Sequence, residues 1–236
     1  MRQKPKLETL NNRITRCKRC PRLVTHCKTV AKEKVTRYRD EPYWGKPVPN
    51  FLPPDPEKAR LLIVGLAPGA HGANRTGRIF TGDRSGDFLY AQMHRAGLCN
   101  QPQSIKTGDG LKLMGTIVTG AGHCAPPGNR PTPDELKACA GYLDQTFDAL
   151  PDLSAVIVLG QIAHRAVLGV YRRRGVINSL TRHRFAHGAV FTFDNAPALL
   201  CCYHPSQQNT FTARLTPDML LNVLVNAREL ARAGSE

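Results

Sequence analysis

No apolar run in the chain approaches the roughly 18 residues that a membrane-spanning helix needs, which excludes a helical integral membrane protein. The opening stretch MRQKPKLETLNNR has no apolar core segment, so it does not read as a secretory leader, and a cytoplasmic protein is expected. Without an export signal, a disulfide framework is not expected either. Acidic side chains are scarce, with 18 Asp plus Glu against 33 Lys plus Arg. No carboxylate cluster is visible that would hold the divalent ions of a nuclease. Internal repeats, heptads and low-complexity tracts are absent, which excludes repeat arrays and coiled coils.

What the chain does have is positive charge: the net charge is +15 and the isoelectric point about 9.8. A polyanionic partner follows, with nucleic acid favoured over a merely solvated basic surface. At 236 residues and 41% hydrophobic, the chain suits a single domain, 1–236. Residues 1–58 form a basic, proline-studded arm ending in RYRDEPYWGKPVPNFLPPDP. The prolines from Pro42 to Pro56 exclude a regular helix there and suggest a segment wrapped over the core.

Beyond the arm the pattern is regular. ARLLIVG, LMGTIVTG, LSAVIVLG and APALLCC read as buried strands. SGDFLYAQMHRAGL, with a Ser or Gly start and a Gly97 stop, reads as a helix, as do TPDELKACAGYLDQTFDAL, QIAHRAVLGVYRRR and TPDMLLNVLVNARELARA. Thr132, Pro133 and Glu135 carry the signature of a capped helix start. The order βαβαβ…βα predicts an α/β protein: three layers, α/β/α, around a mostly parallel four-stranded sheet. In such folds sites gather at the carboxyl ends of strands. Three segments leave strand ends here: GLAPGAHGANRTGRIFTGD, TGAGHCAPPGN and YHPSQQNT.

The 8 cysteines contain one paired motif, CKRC at Cys17–Cys20. Cys124 and Cys139 can complete a four-thiolate set, which suits either zinc or an iron–sulfur cluster. The long spacing between Cys124 and Cys139, and the place of Cys139 on a predicted helix, favour the cluster over a zinc ribbon. Cys201 and Cys202 fall in a strand, point to opposite faces and read as buried thiols; Cys27 and Cys99 carry no pattern.

The glycine-rich loop matches no nucleotide-binding fingerprint. Gly65, Gly69 and Gly72 follow a strand and let backbone approach a ligand closely. Phe80 is an aromatic placed to stack on a base. Asp83 precedes a helix start and reads equally as cap or catalyst. His204 sits at a strand's carboxyl end, beside a polar contact loop, Ser206–Thr212.

Taken together, GLAPGAHGANRTGRIFTGD, HPSQQNTFTARLT and the CxxC with CAPPGN…C resemble the family 5, or type B, uracil-DNA glycosylases. The likeness runs from CKRCPRLV and EPYWGKPVP to the last helix. Leu66 stands where the related family 4 has an acidic residue. The resemblance implies a structural 4Fe–4S cluster on Cys17, Cys20, Cys124 and Cys139, tying in the arm. It implies monofunctional excision of uracil, and of other deaminated bases such as hypoxanthine, from DNA. The family's catalytic positions match Asp83, Asn129 and His204. Gly65, Ala67, Gly69, Phe80, Ser206, Asn209 and Arg214 are expected to contact the substrate, and Arg75 and Arg78 to join Arg214 on phosphates. A monomer acting at the nucleoid is expected. The sequence departs from the family at Ile79, where Pro is common, at Gly122 and His123, and at Ala213, where Gly is typical. An inactive cluster-bearing nucleic-acid-binding protein and a zinc-stabilised binding module or nuclease are the competing readings.

Overall fold

The computed structural model describes residues 6–233. The chain begins with helices α1 (Leu7–Thr15) and α2 (Pro21–Glu33), then runs without regular helix through the proline-rich stretch to strand β1 (Leu61–Gly65). A short helix α3 (Ala73–Thr76) and α4 (Arg84–Arg95) lead to β2 (Thr116–Gly120). Then follow α5 (Pro133–Asp148), β3 (Ala155–Leu159), α6 (Gln161–Arg173), β4 (Val190–Phe193), β5 (Ala196–Cys202), α7 (Gln207–Phe211) and α8 (Pro217–Ala233). Among the described residues no helix is long and apolar enough to cross a membrane.

The four strands expected from apolar runs are present and parallel. β1 lies between β2 and β3, in the registers Leu61↔Thr116 and Leu61↔Ala155, and β3 pairs with β5 from Ala155↔Ala198. The sheet has five strands, not four, in the order β2-β1-β3-β5-β4. The extra strand, β4, runs antiparallel to β5 across the tight turn at Asp194–Asn195. It escapes an apolar-run reading because it is an edge strand with one face in solvent: Val190 and Thr192 are exposed while Phe191 and Phe193 turn inward. Its signal is the alternation Val-Phe-Thr-Phe ahead of a two-residue turn.

Strand alternation divides the core in two. Ile63, Val118, Leu200 and Cys202 face Leu89 and Met93 of α4 and Leu220 and Leu224 of α8. Leu62, Ile117, Val156, Leu199 and Cys201 face the other layer, with Phe147 of α5 and Val167 of α6. The adjacent thiols of Cys201 and Cys202 thus enter opposite cores, as a two-residue period requires.

α1 joins the second core through Leu7, Leu10 and Ile14, one helical stripe laid against α5. The proline-rich strap is fixed by Asn50, which is buried. Its Nδ2 donates to Thr146 Oγ1 at 3.2 Å and its Oδ1 accepts from Thr119 Oγ1 at 2.5 Å. Its backbone exchanges hydrogen bonds with the Asn11 side chain at 2.9 and 3.0 Å. The α5 start is a complete capping box between Thr132 and Glu135, and Glu135 also receives a bidentate Arg22 at 2.7 and 2.8 Å.

Candidate active site and cysteine cavity

The loops leaving β1 and β2 are stitched together by backbone bonds from Ala121 to Gly65 O and from Gly122 to Leu66 O, each 2.9 Å. Parallel neighbours end at the same level, so their exits share one edge of the sheet. The β5 exit meets the β1 loop through Phe80 and His204, whose ring centroids lie 5.9 Å apart.

Asp83 is the N-cap of α4, so that helix starts one step earlier than its Ser or Gly reading. Its Oδ1 accepts the Gly86 N–H at 2.9 Å. Cap and catalyst are not exclusive, because a carboxylate has a second oxygen. Oδ2 lies against the glycines of the loop: a β-carbon at Gly72 would fall 2.0 Å from it, and one at Gly69 2.9 Å. Burial pushes the Asp83 carboxyl above its ordinary value, opposed by the backbone bond from Gly86. An undisturbed carboxyl is therefore not what the site contains.

Phe80 holds a left-handed backbone, φ 51°, and is buried. Its ring fills the space over Gly65, where a β-carbon would come within 2.6 Å of Cε2 and Cζ. Gly65 thus serves the aromatic ring directly. Behind His204, Gly160 (φ 94°) leaves only 3.2 Å between its own missing β-carbon and His204 Cβ. Burial lowers the His204 imidazole to about 4, so at neutral pH it is uncharged and keeps one N–H to donate.

Two of the expected substrate contacts brace this histidine. Asn209 Nδ2 donates to His204 O at 2.8 Å, and Ser206 Oγ caps α7 by accepting the Asn209 N–H at 3.4 Å. Arg214 is exposed and stacks over the Tyr203 ring at 4.6 Å, so its guanidinium edge stays open to an anion.

Arg75 and Arg78 are not phosphate contacts. Both are buried and their donors are used internally. Arg78 binds Asp109 bidentately at 2.9 and 2.6 Å and adds Ser104 and Thr81. Arg75 reaches His71 O at 2.8 Å, Gly82 O at 2.9 Å and the Glu41 carboxylate, and lies 3.9 Å over the Tyr38 ring. They rivet the glycine loop in place; loop position alone could not distinguish that from an outward cation.

Asn129 ends a turn of 3-10 helix, Pro127–Asn129, with φ 57° and its N–H on Pro126 O at 3.1 Å. It is exposed, and its side chain makes no hydrogen bond to Asp83 or His204. Thus the structure joins Phe80 with His204 and Asp83 with the glycine loop, and leaves Asn129 exposed and outside both contacts.

Cys17, Cys20, Cys124 and Cys139 all line one cavity, walled by Leu23, Val24, Leu136 and Tyr142 and bordered by Ala67 of the β1 loop. All four are free thiols and none is fully buried. They feel one another: Cys139 is pushed up to about 12 by burial, with Cys17 and Cys20 adding to it. No three His, Cys, Asp or Glu side chains among the described residues converge tightly enough to hold a single metal ion. The sulfurs ring a cavity instead of meeting at a point. Cys27, which carries no sequence pattern, is buried close by, its thiol donating to the carbonyl of Ala125, the residue after Cys124, at 3.7 Å. Its place seven residues after Cys20, on the same helical stripe, was the available signal.

Residues 53–227 match the family model described as the uracil DNA glycosylase superfamily. The chain is 48% identical over 223 residues to the type-5 uracil-DNA glycosylase of Mycobacterium leprae, covering 94% of each protein. It is 48% identical over 218 residues to the type-5 enzyme of Thermus thermophilus, covering 92% of this chain and 95% of that one. Similarity to the type-4 uracil-DNA glycosylase of Sulfurisphaera tokodaii is lower, 28% over 156 residues.

Proposed function

Since the chain belongs to the type-5 uracil-DNA glycosylases of the uracil DNA glycosylase superfamily, we propose that it removes uracil from DNA by hydrolysing the N-glycosidic bond and leaving an abasic site. The observation that carries this reading is a desolvated carboxylate, Asp83, against the glycine loop that also carries Phe80, whose ring packs with the neutral imidazole of His204.

The target bond lies inside the duplex, so the nucleotide must be turned out at a cost of a few kcal/mol. Stacking on Phe80 recovers part of that cost. As the bond lengthens, the sugar gains positive charge and the base negative charge. His204 donates its N–H to the base oxygen where the charge grows, and being neutral it does so without first giving up a proton. Asp83, ionised, aligns water through Oδ2 and favours the cationic sugar; the partly buried setting strengthens both effects. Asn129 offers donor and acceptor from the rim and closes on the base or water when DNA is bound. Gly65, Ala67 and Gly69 let the backbone approach the base, and Arg214 holds a flanking phosphate.

The same pocket accepts hypoxanthine and other deaminated bases. The chain works as one domain and as a monomer in the cytoplasm, on nucleoid DNA. The four cavity cysteines suit a 4Fe–4S cluster, because each iron takes one thiolate and the ligands need not converge on one atom. Bound there, the cluster serves as a structural cross-link between the α1–α2 junction and the β2–α5 segment that carries Asn129.

Single-turnover assays on oligonucleotides carrying one modified base each test the activity. Abasic-site formation at uracil is expected, with Asp83→Asn slower by roughly 10²–10⁴ at unchanged DNA affinity. Full activity in that variant would refute the assignment of Asp83. A colourless protein containing zinc and no iron would refute the cluster.

A further inference from the structure

We propose that Arg182 and Arg184, in the segment ahead of β4, form a second phosphate-contact strip that carries the DNA footprint past Arg214 toward the β4 end of the sheet. This rests on reading the chain as an enzyme that acts on uracil in DNA. Between Asp152 and Asp194 the chain has six arginines and no acidic residue. Arg173 and Arg174 are paired with Asp144 and Asp148 of α5. Arg182 and Arg184 are exposed, and their side chains enter no hydrogen bond or ion pair among the described residues.

Topology brings this segment to the active-site edge. β4 runs antiparallel to β5, with Val190 opposite Leu200. The Gly188 N–H donates to Cys201 O at 2.8 Å, and the Tyr203 N–H donates to His187 Nδ1 at 3.3 Å. The residues before Gly188 therefore lie beyond the carboxyl end of β5, where His204 leaves the sheet. The Tyr203 ring carries both the Arg214 guanidinium, at 4.6 Å, and the His187 ring, stacked at 5.0 Å, which joins the segment to Arg214.

Burial alternates along the segment. His183 packs on Phe191 at 5.2 Å, Phe185 on His164 at 5.5 Å and His187 on Tyr203, while Arg182, Arg184 and Ala186 are exposed. The ring contacts fix the backbone and set the two arginines on one outer side, about 7 Å apart. Donors held in this way lose little freedom on binding. A guanidinium with no carboxylate to satisfy fits a phosphate. β4 is the last strand at its end of the sheet, so the strip meets the duplex on one side of the uracil.

Binding of the full chain to a duplex carrying one 2′-fluoro-2′-deoxyuridine, whose glycosidic bond resists hydrolysis, tests this as a function of salt. Arg182→Ala/Arg184→Ala is expected to reduce the salt slope by about 2. Arg182→Lys/Arg184→Lys, which keeps the charge, is expected to restore it. Arg172 and Arg232 stand in the last turns of α6 and α8, far along helices that start at the site edge. Arg172→Ala/Arg232→Ala removes the same charge there and should leave the slope alone. Shortening the duplex on one side of the uracil should abolish the difference between parent and Arg182→Ala/Arg184→Ala; shortening it on the other side should preserve the difference. A parent slope in Arg182→Ala/Arg184→Ala, an equal drop in Arg172→Ala/Arg232→Ala, or no dependence on which side is shortened overturns the strip, even where the parent excises uracil from an ordinary duplex. A parent that excises no uracil overturns the proposed function and this inference with it.

Discussion

The Asp83 carboxylate occupies the place that a side chain on residue 72 would need: a β-carbon on Gly72 would lie 2.0 Å from Oδ2 and 2.7 Å from Cγ. The glycine is therefore a mould for the carboxylate. Gly72→Ala is expected to push Oδ2 aside and slow single-turnover excision by roughly 10²–10⁴, while DNA affinity and circular dichroism hold. Wild-type rates in Gly72→Ala would show that the position of Oδ2 is unimportant.

Because one Asp83 oxygen caps α4, Ala and Asn substitutions separate two roles. Asp83→Ala loses the cap, worth about 0.5–2 kcal/mol, together with the charge. Asp83→Asn keeps an acceptor for Gly86 and loses only the charge. Burial raises this carboxyl above its ordinary 3.8, so the native state holds its proton more tightly than the unfolded chain does. Its contribution to stability is present at low pH and is lost as pH rises through the raised value. Asp83→Asn is accordingly expected to have a higher Tm than the parent at neutral pH while losing excision. The acid limb of the parent's single-turnover rate should lie above the ordinary Asp range; a limb at or below it contradicts the burial argument.

His164 carries the opposite sign. It is buried beside Phe185 and Phe191, with centroids at 5.5 and 6.4 Å, its Nε2 has no partner, and burial lowers it from 6.5 to about 4. Between those values the unfolded chain takes up a proton that the native chain refuses, so stability falls as pH drops from 6.5 toward 4. His164→Phe should flatten the pH dependence of the urea midpoint between pH 7 and pH 5 by up to about one proton. An unchanged slope would place the proton uptake elsewhere.

Arg78 and Arg214 should separate cleanly. Arg78→Ala strands Asp109 and is expected to cost about 3–5 kcal/mol in denaturant unfolding, with the salt dependence of DNA binding unchanged in whatever remains folded. Arg214→Ala should leave stability alone and reduce the salt slope by about 1. The reverse pattern would restore Arg78 as a phosphate contact.

Ala213 holds φ 54° in the loop after α7. A left-handed alanine costs about 1–2 kcal/mol, and the added freedom of an unfolded glycine offsets about 0.4–1 kcal/mol. Ala213→Gly should raise Tm modestly; a lower Tm would mean the loop gains more from the methyl group than it loses in strain.

What the sequence disclosed follows a physical division. β1, β2, β3 and β5 are buried on both faces, so they appear as unbroken apolar runs, and Thr132 and Glu135 announce the start of α5 in plain residue types. β4 hides because only half of it is buried. α1 hides because three apolar residues, Leu7, Leu10 and Ile14, are enough to dock it, amid polar neighbours. The chemistry at the loops was legible as residue types: Asp83, Phe80 and His204 stand where strands end. Their partners were not. That Asn209 braces His204, that Arg75 and Arg78 face inward, and that Cys27 donates to Ala125 O all depend on side-chain direction, which spacing within a loop does not encode.

The ties of the proline-rich strap bear on how the chain is made. Among the described residues, the Asn50 side chain is held by Thr119 and Thr146 and its backbone by Asn11, and α1 rests on α5. During synthesis these early residues leave the ribosome long before their partners exist. They stay exposed until the α5 segment has followed them out, so a segment made well before its partners is secured only after them.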